Sequence, residues 1–149
     1  MMHGNRQVTG RVFMAVMTFI LSGCAGIERA PAGKPLYERL GGNASIAAVV
    51  DQFVANVLAD DRINGLFATT DPPKLKGHLV DQFCMLTGGP CTYKGRDMKA
   101  AHVGMHITND DFDALIEDLI TALDKVNVPG QEKGELLRLL GPIRKDIVE

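Results

Sequence analysis

His102 stands in the stretch Met98-Lys99-Ala100-Ala101-His102-Val103-Gly104-Met105-His106-Ile107-Thr108, among small and apolar neighbours on a short predicted helix that a glycine closes. An imidazole so placed can offer a neutral ring nitrogen to a metal inside an apolar pocket. The same placement suits a core histidine bonded to a backbone carbonyl, and spacing alone does not separate the two. His78 lies three residues after Leu75 and four before Gln82, on the edge of a predicted apolar helix face. His106 follows His102 by four residues, but Gly104 interrupts the turn and leaves His106 at the surface or at the rim of a pocket.

A histidine that faces a second apolar helix is one way to hold a flat apolar cofactor. Haem suits such a slot, because its iron takes an axial imidazole and its faces pack on Phe, Leu, Ile and Met. The side chains at hand are Phe53, Phe67, Leu75, Leu79, Phe83, Met98, Met105 and Ile107. An ordinary core shows the same stripe, so the stripe alone does not decide. A Cys-x-x-Cys-His sequence for thioether attachment is absent. Asp60-Asp61 and Asp110-Asp111 fall at predicted helix boundaries, where capping explains them. Gly41-Gly42 and Gly88-Gly89 are turn residues without a P-loop context. No Ser-His-Asp set can be placed in one pocket, so any enzymatic role would reside at a metal.

The elements that must position these residues are helical. Leu36 to Leu40 predicts one short turn, stopped by Gly41-Gly42. Asn43 or Ser45 is expected to cap a helix running to about Ala59, with Ile46, Val49, Val50, Phe53, Val57 and Leu58 on its buried face. Ile63, Leu66 and Phe67 follow in a short turn. Asp71-Pro72 predicts the start of a helix to about Thr87, with Leu75, Leu79, Gln82, Phe83 and Leu86 on one face. A loop from Gly88 to Asp97 leads to the short turn bearing His102. Thr108 with Asp111 resembles another helix start, followed by the stripe Phe112, Leu115, Ile116, Leu119, Ile120 and Leu123. A last helix carries Leu136, Leu137, Leu139, Leu140 and Ile143, with a kink expected at Gly141-Pro142. The chain has 149 residues, enough for one domain, and a formal net charge of −2 without a basic stripe. Nucleic acid is therefore not expected as a partner.

The first segment is read as a leader, which excludes His3. Arg6 and Arg11 precede an apolar run from Val12 to Leu21, shorter than the ~20 residues a membrane span needs. The run ends in Leu21-Ser22-Gly23-Cys24, which resembles the lipobox of bacterial lipoproteins. That resemblance implies residues 1–23 as a signal peptide, lipid on Cys24, and a tether over 24–34 before a domain at 35–149. An ordinary secretory signal or a retained anchor are the alternatives. The mature chain would lose two arginines and no acidic residue, moving from −2 to −4. The expected location is the cell envelope, facing the periplasm. Ala25 lacks the aspartate associated with inner-membrane retention in enteric bacteria, so the outer membrane is compatible with the sequence, and inner and outer membrane both stay open. In that compartment Cys84 and Cys91 can form a disulfide, if Gly88-Gly89-Pro90 turns the chain back on itself.

The ordered set Leu36-Tyr37-Glu38-Arg39-Leu40-Gly41-Gly42, Phe53, Val57-Leu58-Ala59-Asp60-Asp61, Phe67, Leu75-Lys76-Gly77, Gly88-Gly89-Pro90, Tyr93, Gly95 and Met98-Lys99-Ala100-Ala101-His102 closely resembles the group I truncated haemoglobins. The resemblance covers nearly the whole chain from Leu36 onward. It implies an all-α, two-over-two globin fold and non-covalent haem b. By position it makes His102 the proximal iron ligand and Phe67 the phenylalanine on the haem. Leu75, Phe83, Met98 and Ile107 fall at lining positions, and Tyr93 at the haem edge. Lys76 and Lys99 either meet propionates or form a solvated face.

Two positions depart from the family pattern. Many members carry an oxygen-stabilising tyrosine and glutamine where this chain has Val54 and Leu79, neither of which donates a hydrogen bond. Losing such a bond costs about 1–3 kcal/mol, or about ten- to a hundred-fold in affinity. His78 matches a position that supplies a second axial ligand in some cyanobacterial members. Ligand, mobile hydrogen-bond donor and spectator all remain open for it. The leading expectation is a monomeric haem protein that reversibly binds oxygen, nitric oxide or carbon monoxide. The alternative is a bis-histidyl redox protein, served by an unknown electron donor and active in electron transfer or nitric oxide and nitrite chemistry. A helical lipoprotein without haem is the third.

Overall fold

The computed structural model describes residues 33–149. The signal, Cys24 and nearly all of the tether lie outside the described residues. Within them the chain forms helices and no strand.

α1 is a single turn, Leu36–Arg39, that ends where Gly41 and Gly42 take left-handed conformations, φ +94° and +73°. Those glycines launch α2, Gly42–Ala59. No side chain caps α2, so the cap expected from Asn43 or Ser45 is not formed. A Cβ on Gly41 would lie 2.4 Å from Ser45 Oγ, so a glycine fits this entry and a larger residue does not. Ile46, Val49, Val50, Phe53, Val54 and Val57 form the buried stripe. Leu58, expected on that face, is 42% exposed, because the last turn carries it to the edge of the stripe that Val54 completes. α2 is long and apolar enough to cross a membrane, yet its apolar side packs on the helices at Pro72–Leu86 and Asn109–Lys125, as a core helix does.

Asp60 closes α2 and accepts hydrogen bonds from the backbone and guanidinium of Arg62, which also reaches Glu117 at 2.7 Å. A 3-10 turn, Asn64–Phe67, leads on. α3, Pro72–Leu86, starts as its sequence predicts: Asp71 accepts from the Lys74 amide at 3.3 Å, and proline fills the first position. α5, Asn109–Lys125, opens with the reciprocal Thr108–Asp111 capping box. The last helix breaks at the expected place. α6, Gly130–Leu140, passes through a 3-10 turn at Gly141–Ile143 into α7, Arg144–Ile147, because Pro142 has no N–H to continue the ladder.

Two apolar clusters result. The larger joins α2, α3, α5 and α6 around Val50, Val54, Val57, Leu119, Leu123 and Leu136. Burying each of these stabilises the fold by roughly 1.5–3 kcal/mol before entropy is counted. The smaller joins Ile107, Phe112 and Ile147, with Met98, Ile116 and Ile143 against them. Leu66 packs on both. Arg144 secures the smaller cluster from outside, 4.5 Å over the Phe112 ring and 2.8 Å from Asn109 Oδ1.

Candidate functional site

α4, Met98–His102, is five residues long and buries none of them. So short a helix is unstable alone and depends on what holds it. Asp97 caps it, accepting from the Ala100 amide at 2.9 Å. Arg96 Nη1 donates to Ala100 O at 3.3 Å, and α4 packs on α7. Gln82 on α3 donates from Nε2 to Met98 Sδ at 3.2 Å, which joins the helix carrying His78 to the helix carrying His102.

His102 Nδ1 lies 2.6 Å from the Met98 carbonyl oxygen. A carbonyl cannot donate, so Nδ1 must carry the proton. Nε2 of the neutral ring then holds a free lone pair. The two readings of His102 thus merge: the carbonyl bond of a core histidine is present, and it orients the ring and leaves the other nitrogen available as a ligand. The residue is half-buried.

His78 is also half-buried, on α3. Its ring meets the edge of Tyr93, centroids 6.1 Å apart and planes at 68°. Tyr93 donates from its hydroxyl to Arg96 O at 2.9 Å, and burial pushes its phenol pKa up. The loop bearing Tyr93 is tied to α3 by a disulfide between Cys84 and Cys91, with Cα atoms 5.7 Å apart. Gly89 is required in this corner: a Cβ there would lie 2.5 Å from Tyr37 Cδ2 and 2.6 Å from Cys84 Sγ.

The apolar residues singled out by sequence divide into two sets. Phe67, Leu75, Leu79 and Met98 are half-buried, so protein covers each only in part. Phe53, Phe83 and Ile107 are buried within the clusters, and Val54 is 1% exposed. Met105 and Val103 are exposed, at 37% and 67%. Lys76 forms an ion pair with Asp51 on α2 at 2.8 Å, which supports the solvated-face reading for it. Lys99 is exposed. The His106 side chain is 90% exposed. An apolar void in the larger cluster, lined by Leu40, Ile46, Val49, Phe83, Leu123 and Leu136, does not border His102. Among the described residues no three His, Cys, Asp or Glu side chains converge as a metal-binding group.

The bacterial-like globin family model matches residues 35–149. This chain belongs to the bacterial-like globin family. The globin is 40% identical over 111 residues to a group 1 truncated hemoglobin of Tetrahymena thermophila, which spans 74% of this chain and 92% of the relative. Among solved structures it is similar to the truncated hemoglobin of Tetrahymena pyriformis in its Fe(III) form, with 37% identity and a TM-score of 0.74 over 77% of this chain and 98% of that one. It is also similar to the 2/2 hemoglobin of a Synechococcus species in the cyanomet state with covalently attached heme, at 36% identity and a TM-score of 0.73, with the same coverage. The all-α, two-over-two architecture expected from the sequence is thereby shown.

Several residues that hold α4 and the turn after it carry little signal in the sequence. Gln82 falls on a predicted apolar face, and Asp97 in a predicted loop. Nothing in the sequence marks Glu149, although its carboxylate accepts from Gly104 N and His106 N at 2.8 and 2.9 Å. The aspartate three residues before a backbone amide was a legible capping signal. A bond spanning more than forty residues left no local trace.

Proposed function

We propose that this globin holds haem b with His102 as the proximal iron ligand, through Nε2, and binds oxygen, nitric oxide or carbon monoxide on the opposite side. The 2.6 Å contact of His102 Nδ1 with Met98 O carries the reading, because it fixes tautomer and ring orientation together. The half-buried Phe67, Leu75, Leu79 and Met98 supply apolar surface that haem faces would cover. Haem, when bound, would supply an iron able to take a diatomic ligand and to change oxidation state.

The chain's own residues set the rest. Val54 and Leu79 exclude water and donate nothing, so a polarised ligand gains no hydrogen bond from either. His78 is the nearby group able to supply one, or to take the axial position itself. Its half-buried place one residue from Leu79 favours this second reading, a bis-histidyl redox protein fed by an external electron donor. The contact with Tyr93 opposes it by holding the imidazole at the loop. We further propose that the leader carries a lipid on Cys24 and places a monomeric globin in the cell envelope; the order of charged start, apolar run and Cys site supports this.

Absorption spectra of the soluble domain with haemin, ferric and dithionite-reduced, test the proposal alongside His78→Ala and His102→Ala. A Soret band that weakens in His102→Ala supports it. A low-spin, six-coordinate spectrum that turns five-coordinate in His78→Ala selects the redox reading. Absence of any Soret band overturns both.

A further inference from the structure

The turn after His102 is bent in an uncommon way. Gly104 and His106 both adopt left-handed conformations, at φ +78° and +54°. Glycine tolerates this, whereas a histidine at positive φ is strained by roughly 1–2 kcal/mol and persists only where its surroundings fix it. The Met105 amide donates to His102 O at 3.1 Å, and Glu149 supplies the side-chain contacts. Glu149 Oε1 accepts from Gly104 N at 2.8 Å, and Oε2 from His106 N at 2.9 Å. The Glu149 amide donates to Ile107 O at 3.0 Å. The two N–H groups point into one concavity of the kind that holds anions, with a side-chain carboxylate in it. These bonds hold the Glu149 carboxyl below its ordinary pKa. The His106 imidazole, at 3.5 Å and almost wholly exposed, adds little.

We infer that Glu149 is a positioning residue for the proximal histidine, clamping the turn from Val103 to His106 so that the end of α4 cannot shift. α4 buries no residue of its own, and its N-terminal side is held by Asp97 and Gln82. Glu149 holds the other side. The His102 ring is therefore fixed from both directions, which limits how far its Nε2 can travel toward or away from an iron. The inference rests on the reading of His102 as the iron ligand.

The test uses the haemin-loaded globin as wild type, Glu149→Ala, Glu149→Gln and His102→Ala. The ferrous iron–histidine stretching band is read by resonance Raman, and haem loss by transfer to excess apomyoglobin. Glu149→Ala is expected to move the band to lower frequency and to speed haem loss by about ten-fold or more, the scale of lost outer-shell support. Glu149→Gln keeps an acceptor oxygen and should fall between. The unfolding midpoint of the haem-free protein should move far less than the haem-loss rate. An unchanged band and rate in Glu149→Ala, or an equal loss of haem-free stability, would overturn the inference. An iron–histidine band that survives in His102→Ala would instead remove the ligand reading on which it stands.

Discussion

Gln82 and Met98 meet one helical turn from His78 and His102 respectively. The amide nitrogen of Gln82 lies 3.2 Å from the thioether sulfur of Met98, four residues after His78 on one helix and four before His102 on the other. Four residues rise about 6 Å along a helix. The contact thus acts as a joint between the helix carrying His78 and the helix carrying His102. Met98 also packs on the smaller apolar cluster.

Shortening this joint should cost stability in a graded way. Met98→Leu keeps the volume and should cost under about 1.5 kcal/mol. Met98→Ala leaves a gap and an unpartnered Gln82 amide, and should cost about 2 kcal/mol, the low end for a side chain only partly covered. Urea unfolding of the two variants gives the comparison, and equal midpoints would remove the joint from the account.

Installing a donor on the distal helix should convert the ligand preference. Leu79 is half-buried and has room that Val54, at 1% exposed, does not. Leu79→Gln is therefore the cleaner variant, since enlarging a closed position costs about 1–3 kcal/mol. Oxygen dissociation should slow about ten- to a hundred-fold, while carbon monoxide, less polarised, changes little. Stopped-flow displacement measures both rates.

Removing the Cys84–Cys91 bond should destabilise the domain. The bridged residues are seven apart in sequence. Chain entropy for so short a loop gives about 2 kcal/mol. Cys84→Ser with Cys91→Ser, compared with the oxidised parent in guanidinium, should show a lower midpoint with a similar slope. A midpoint that does not move would make the bond dispensable.

Acid should act on the carboxylates that the fold holds in ionised form. Hydrogen bonds from Thr108 lower the Asp111 pKa, bonds from Arg39 and Gln131 lower that of Glu135, and backbone amides lower that of Glu149. A depressed folded pKa contributes stability that is complete above the unfolded value, about 4. It is lost as pH falls through the folded value. Thermal stability of the haem-free domain should hold from neutrality down to about pH 5 and decline below about pH 4. Asp111→Asn should flatten that decline by removing one contributor.

Asp118 runs the other way. Its Oδ2 is buried without a hydrogen-bond partner among the described residues, and burial raises its pKa, with Asp60 adding to the effect. A raised carboxyl disfavours the fold once ionised, so its cost appears as pH rises. Asp118→Asn should raise the melting temperature at pH 7 and leave it nearly unchanged near pH 3. A melting temperature that falls at neutral pH would show that the carboxylate has a partner.

What was legible in the sequence was local. Asp71-Pro72, the Thr108–Asp111 box and the Gly141-Pro142 break each write their geometry within a few residues, and the structure follows them. α2 misled at its ends. Its stripe was read from spacing, but whether Leu58 is covered depends on neighbours that spacing does not record. Its start is set by backbone conformation at Gly41, a residue without a side chain to announce it. His102 is singled out in the sequence by small and apolar neighbours, which a core histidine shares. The bond that fixes its tautomer runs to a main-chain oxygen, which every residue possesses and no sequence distinguishes. Glu149 is one acidic residue among many until the fold brings it to Gly104.

The dependence of α4 on the chain that follows it bears on biosynthesis. α4 packs on α7, more than forty residues later, and the turn beyond His102 is closed by Glu149. A growing polypeptide can assemble α2 and α3 early, since those two helices pack on each other. The wall that presents His102 is completed only when α7 has been made. If His102 is the iron ligand, as proposed, truncation just before α7 should yield a polypeptide that retains helices yet fails to keep haem.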